Sequence, residues 1–221
     1  MALQARHTHP PPETPRRGRT RDRLLDAAFD VFADQGVHAA TIEQITDHAG
    51  FTRGAFYSNF STKEELFFAL KDRENELRLT CLAEQVETLR PRLEAAGDPL
   101  DEEALGELLL EFLVGPFDNR KWCLVQSEFT LMALRDPAVS TDFLAHRRRF
   151  EASLVPIVNR ALDRARLTFV VPARTAVMLL VDAFEDALRS AILAGSDVGD
   201  VEEVRATMAQ MVLALTLPAD A

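Results

Sequence analysis

Residues 41–67 read TIEQITDHAGFTRGAFYSNFSTKEELF, and their punctuation decides the fold. Thr41 followed three residues later by Gln44 has the spacing of a capping box, in which a hydroxyl and an amide satisfy the open N–H groups at a helix start. Ile42, Ile45 and Ala49 then recur on one helical face, and Gly50 supplies the left-handed residue that a sharp turn needs. Thr52 opens a second short helix whose inward residues are Ala55, Phe56 and Phe60. Ser61 with Glu64 repeats the capping pattern and starts a long helix through Leu66, Leu70, Leu77 and Cys81 to about Leu89, where Pro91 stops it. Two short helices joined by a glycine turn within about twenty residues have the spacing of a helix-turn-helix. In that arrangement the second helix lies in the major groove of DNA and the first braces it.

Upstream, Leu24, Leu25, Ala28, Phe29 and Phe32 predict a helix from about Thr20 to Gln35, closed by Gly36. Residues 1–19 hold Pro10, Pro11, Pro12 and Pro15 among polar residues and read as a disordered basic arm. Downstream, Asp98-Pro99 opens a predicted helix to about Val114, closed by Gly115-Pro116. Another, from Asn119 to Leu134, carries Trp122, Val125, Phe129 and Met132. Asp136-Pro137 opens a longer helix through Phe143 and Phe150, which Pro156 is expected to kink. The last two helices span roughly Ala173–Ala194 and Val201–Leu217. Leu167–Val171 is strand-like but lies between helices and reads as a packed connector. The expected fold is therefore all-α, with an arm at 1–19, a three-helix DNA-binding domain at 20–80 and a larger helical domain at 81–221.

Composition narrows the function. The 221 residues are 47% hydrophobic and 27% charged, an ordinary globular mix. No apolar run reaches the ~18 residues that span a bilayer. The N-terminus MALQARHTHPPPETPRRGR lacks the apolar core of a signal peptide, so a cytoplasmic location without membrane attachment is expected. A net charge of −10 argues against a polyanionic partner until the chain is divided. Residues 1–63 hold eight Lys/Arg against seven Asp/Glu, whereas the remainder holds 17 against 28. Arg6, Arg16, Arg17, Arg19 and Arg21 face only Glu13 at the N-terminal edge.

The sequence offers little to an enzyme: no glycine-rich phosphate loop, nucleophile elbow or His-Glu-x-x-His run. The five histidines show no helical pairing at metal-ligand spacing, and no cofactor or metal is implied. Cys81 and Cys123 are too few for a disulfide framework or a four-cysteine zinc site; a redox sensor through them stays open as an alternative. The run Arg147-Arg148-Arg149, flanked by acids, reads as a solvated helix face.

The second short helix has the polarity of a reading helix. Thr52, Arg53, Tyr57, Ser58 and Asn59 lie on its first turn and outer face, and Gly54 leaves room for the backbone to approach a duplex. The stretch from Thr20 to about Leu79 resembles the DNA-binding domain of the TetR family of bacterial transcriptional regulators. The resemblance rests on Thr41, Ile45, Ala49-Gly50, Gly54, Phe56-Tyr57, Phe60 and Lys63; Phe51 and Asn59 depart from the residues frequent there. By their chemistry, Arg53 is the candidate for reading a base, because its planar fork can bond guanine O6 and N7 together. Thr52 and Asn59 are candidates for base edges or phosphates, and Thr41, Tyr57 and Lys63 for phosphates. The arginines at 16, 17, 19 and 21 are candidates for an adjacent minor groove.

One reading helix covers only a few base pairs, so a twofold dimer on a near-palindromic double-stranded DNA site is expected. Val177, Leu180, Phe184 and Leu188, with Val204, Met208, Met211 and Leu215, form stripes on the last two helices. They suit either a homodimeric four-helix interface or packing within one subunit. The resemblance implies a small-molecule effector pocket in the middle helices, with Trp122, Phe129, Met132, Phe143 and Phe150 as apolar lining and Gln126, Glu128 and His146 as polar anchors. It also implies a repressor released by that effector through the long fourth helix. An activator of the same architecture is the other reading.

Overall fold

The computed structural model describes residues 15–95, 105, 107–109, 119–195 and 202–219. The chain forms two compact units, one ending at Leu70 and the other starting at Lys71.

The first unit contains α1 (Pro15–Gln35), α2 (Ile42–Ala49), α3 (Arg53–Tyr57) and the first turns of α4 (Lys63–Thr88). Its core is formed by Leu24, Ala28, Phe32, Ile45, Phe56, Phe60, Leu66, Phe67 and Leu70, all almost fully buried. Phe32 and Phe67 meet edge to face at 5.4 Å. The capping box at Thr41 closes in both directions: Gln44 N–H donates to Thr41 Oγ1 at 3.2 Å and Thr41 N–H to Gln44 Oε1 at 2.8 Å. Gly50 ends α2 at φ +69°, and its N–H returns to Asp47 O.

Two expectations need correction here. Helix α1 begins at Pro15, so residues 15–19 are helical and not part of an arm; residues 1–14 lie outside the described residues. Proline suits a first turn, and the polar residues that follow are held by bonds to another helix instead of by an apolar face. The second capping box is displaced by one residue. Glu65 N–H donates to Thr62 Oγ1 at 3.0 Å, while the Glu65 carboxylate accepts from Ser61 N–H at 2.7 Å.

The second unit is built from the rest of α4, then α5 (Arg90–Ala95), α6 (Asn119–Arg135), α7 (Pro137–Arg164), α8 (Ala173–Leu193) and α9 (Glu202–Leu215). Pro91 opens α5 as well as closing α4. Leu105 and residues 107–109 are helical; the remainder of the helix expected over 98–114, with its Gly115-Pro116 stop, lies outside the described residues. Asp136 caps α7, accepting from Ala138 N–H at 2.9 Å ahead of Pro137, and α7 runs through Pro156 to Arg164.

Leu167–Val171 is not merely a connector. Residues Leu167–Phe169 form β1, antiparallel to β2 (Thr216–Pro218), with Thr168 opposite Leu217. Arg166, at φ +53°, reverses the chain into β1. Helix α9 ends at Leu215, two residues before the expected Leu217, because Pro218 biases its predecessor toward extended backbone.

The stripes on α8 and α9 are largely absorbed by the subunit itself. Leu180, Ala187, Ala191, Val204, Met208 and Val212 form one buried cluster, with Phe184, Met211 and Leu215 partly buried against it. Leu179, Leu193 and Leu213 remain exposed on the same two helices.

Candidate functional site

Five residues make α3 too short to hold its shape alone, so its neighbours fix it. At its N-terminus Thr52 accepts from Ala55 N–H at 3.3 Å. Beneath it lie the buried rings of Phe56 and Phe60. Beyond its C-terminus Arg17 donates to Ser58 O at 3.0 Å and Arg21 to Asn59 O at 3.4 Å, the latter guanidinium also standing 4.4 Å above the Phe60 ring. Arg23 binds Ala49 O at 2.7 Å and covers Phe51.

The side chains and backbone left outward are Thr52, Arg53, Gly54 and Tyr57, with Thr41 exposed at the start of α2. Tyr57 is 53% exposed despite its aromatic ring. Arg53 lies 2.5 Å from Glu43 on α2, and a hydrogen bond with Tyr57, followed by the Glu43 charge, reinforces its cation. A Cβ at Gly54 would meet only Thr52 Oγ1, at 3.7 Å. Nothing inside the chain therefore demands glycine at position 54, which is consistent with a demand from outside.

Two of the expected contact residues are engaged within the fold. The amide of Asn59 turns back to donate to Ala55 O at 2.8 Å, closing the end of α3. The ammonium of Lys63 bonds Ala40 O at 2.7 Å and His38 O at 3.2 Å, tying α4 to the loop before α2. Arg17 and Arg21 likewise brace α3.

The second unit encloses a cavity of about 230 Å³ with a predominantly apolar lining. Of the expected pocket residues, Trp122, Gln126, Phe129, His146, Phe143 and Phe150 line it. Met132 and Glu128 do not. The inward face of α6 runs through Trp122, Val125, Phe129 and Ala133, which leaves Met132 at its edge. Lys71 and Arg78 from α4 reach the same wall, Lys71 Nζ lying 3.6 Å and Arg78 Cζ 4.5 Å from the centre of the Trp122 ring. The Lys71 ammonium donates to Gln126 Oε1. Burial lowers the Lys71 amine to about 7 against the pull of Glu185, and Arg78 to about 10; burial also raises the Glu185 carboxyl and lowers His146. Glu151, buried, accepts from Arg147 at 2.9 Å and from Arg174 at 3.4 Å, and Arg147 also reaches Asp182 at 2.7 Å.

Residues 24–70 match the family described as bacterial regulatory proteins, tetR family. That segment, which holds α2, α3 and their packing partners, is a DNA-binding domain of the TetR type. Over most of the chain, the HTH-type transcriptional repressor AcnR of Corynebacterium diphtheriae is similar, 27% identical over 187 residues, 83% of this chain and 86% of that one. The HTH-type transcriptional activator FasR of Mycolicibacterium smegmatis is 33% identical over 101 residues, 42% of this chain and 46% of its own. A crystal structure of a TetR transcription regulator from Haloarcula marismortui shares the fold, with a TM-score of 0.65 and 21% identity over 90% of this chain and 100% of that one. TetR-family proteins are DNA-binding regulators and not enzymes. No helix among the described residues is long and apolar enough to cross a membrane.

Lys71, Arg78 and Glu185 also line the cavity and were not marked by the sequence. Past Leu70 the inward face of α4 turns to Lys71, Glu74 and Arg78, all buried, while Leu77 is exposed. The signal was a charged i, i+3, i+7 series in register with Phe67 and Leu70. A charged series ordinarily marks a solvated face.

Proposed function

We propose that this protein is a TetR-family repressor that binds a near-palindromic operator as a homodimer and is released by a small molecule held in the second-unit cavity. The observation that carries the reading is the outward surface of α3. A five-residue helix braced from both ends leaves Thr52, Arg53, Gly54 and Tyr57 exposed, in the order and polarity that major-groove reading requires. Thr41 adds a helix start suited to a phosphate. Lys63, Asn59, Arg17 and Arg21 act chiefly by holding the reading helix, with any DNA contact secondary to that. A second copy is seated on the exposed leucines of α8 and α9.

Helix α4 gives the effector a lever, because it supplies Leu66, Phe67 and Leu70 to one core and Lys71 and Arg78 to the cavity. Release requires a ligand that prefers the DNA-incompetent state; tight binding alone shifts nothing. The similarity to AcnR over most of the chain favours repression over activation. A small molecule is favoured over oxidation, because burial pushes the Cys123 thiol up, away from the reactive thiolate. A cytoplasmic site of action accords with this role.

The test is selection of bound sequences from random duplex DNA, then footprinting on the recovered site. An inverted repeat protected symmetrically at low ionic strength is expected. Protection of a single asymmetric half, or none, would remove the dimeric operator.

A further inference from the structure

The cavity's lining is mostly hydrocarbon, and its charges are not evenly matched. On the α7 and α8 side, Arg147 joins Glu151 and Asp182, Glu151 also takes Arg174, and His146 lies 2.6 Å from Asp72. The arginines and carboxylates here neutralise one another, Asp72 taking Arg149 at 3.5 Å as well. Lys71 differs: it is only 3% exposed, and its hydrogen bond goes to the neutral amide of Gln126, not to a carboxylate. Two π faces also meet its ammonium, Trp122 at 3.6 Å and Phe129 at 5.7 Å. Arg78 places a second guanidinium over the same indole. Glu185 on α8, and Glu74 and Asp72 on α4, attract Lys71 through space, but its hydrogen bond goes to none of them. A buried ammonium in contact with one amide and two rings has its counter-charges only at a distance, without the directly bonded carboxylate that normally accompanies such a group.

We propose that the cavity takes an amphipathic monoanion, an apolar body ending in one carboxylate, with the carboxylate seated on Lys71 beside Gln126 and Arg78 and the apolar body lying among Phe129, Phe143 and the leucines of α4 and α8. The inference deepens the effector reading and rests on it. The carboxylate completes the ion pair that the protein leaves open, and the hydrocarbon replaces water along Leu82, Val86, Leu180 and Leu188, which line the same space. The fall of the Lys71 amine to about 7 agrees with the geometry, since a seated anion would hold it as ammonium. A cationic or purely neutral ligand would leave that cost in place.

The experiment titrates the full-length protein with decanoate, 1-decanol and decylamine below their micellar ranges, following the fluorescence of Trp122, the sole tryptophan. Decanoate is expected to bind at least about tenfold more tightly than decanol, the size of one charge-assisted hydrogen bond. Lys71→Met should erase that preference without weakening decanol, and Lys71→Arg should retain it. Equal or tighter binding of decanol or decylamine, persistence of the preference in Lys71→Met, or no binding by any probe would overturn the proposal. Operator binding measured in parallel separates the two readings. Decanoate that binds with the expected preference yet leaves DNA bound would sink ligand release and keep the cavity chemistry. Release by decanol and not by decanoate would do the reverse.

Discussion

The base-reading role proposed for Arg53 depends on how loosely it is held. Its pair with Glu43 joins two half-exposed side chains, the class of ion pair that contributes least to stability. The guanidinium is therefore aimed by Glu43 and Tyr57 without being tied down, and it can exchange a carboxylate for a guanine edge. Arg53→Ala should weaken operator binding about ten- to hundredfold and relax preference at one position in each half-site, as read by binding to a panel of single-base operator variants. Gly54 makes a sharper test, because its neighbourhood has room for a methyl group and its φ is not in the left-handed region. Gly54→Ala should leave thermal stability unchanged or raise it by up to about 1 kcal/mol, from helix propensity. It should also cost at least about tenfold in DNA affinity if the backbone meets the duplex there. Unchanged affinity would mean that it does not.

Among the elements, α2 and α3 are set by short-range chemistry, and this is why they could be read from the chain alone. Each begins at a threonine hydroxyl that accepts from the N–H three residues on, and α2 ends at a glycine with positive φ. Thr41→Ala removes the hydroxyl that accepts from Gln44 N–H, keeping the bond from the Thr41 N–H to the Gln44 side chain, and should cost about 1 kcal/mol of unfolding free energy in urea titration. Loss of DNA affinity beyond that expected from the stability change would reveal a phosphate contact in addition. What depends on distant partners was not legible. Leu167–Phe169 is three residues long and has no identity as a strand until Thr216–Pro218 lies beside it. The first turn of α1 was hidden for the same reason: Arg17 and Arg21 find their acceptors some forty positions away, at Ser58 and Asn59. Around the cavity, aromatic residues on α6 and α7, legible as apolar helical stripes, line much of one wall. Its polar end was obscured because Lys71, Glu74 and Arg78 look, in one dimension, like residues facing water.

At the scale of the whole molecule, Lys71 couples the cavity to folding. In the unfolded chain its amine keeps a proton up to the ordinary value of 10.5, whereas in the folded protein it loses one at about 7. Between those values the unfolded state binds more protons, so this residue's penalty on folding is complete below pH 7 and fades as pH rises toward 10.5. Lys71→Met should therefore be more stable than the parent protein, on the order of a few kcal/mol near pH 7, with the advantage shrinking by pH 9.5. Chemical denaturation at both pH values checks this, and an equal advantage at both would show that the amine is not shifted.

The pairing of β1 with β2 bears on how the protein is handled at the bench. Residues 216–218 pair with the strand that follows α7, and the N–H of Ala219 is bonded to Arg166 O at 2.8 Å, so residues 216–219 act as a seam that fastens one helix end to another. Affinity handles or reporter fusions belong at the opposite terminus or behind a spacer, since a graft made directly after Leu215 would unpick that seam beside the wall formed by Leu167 and Phe169.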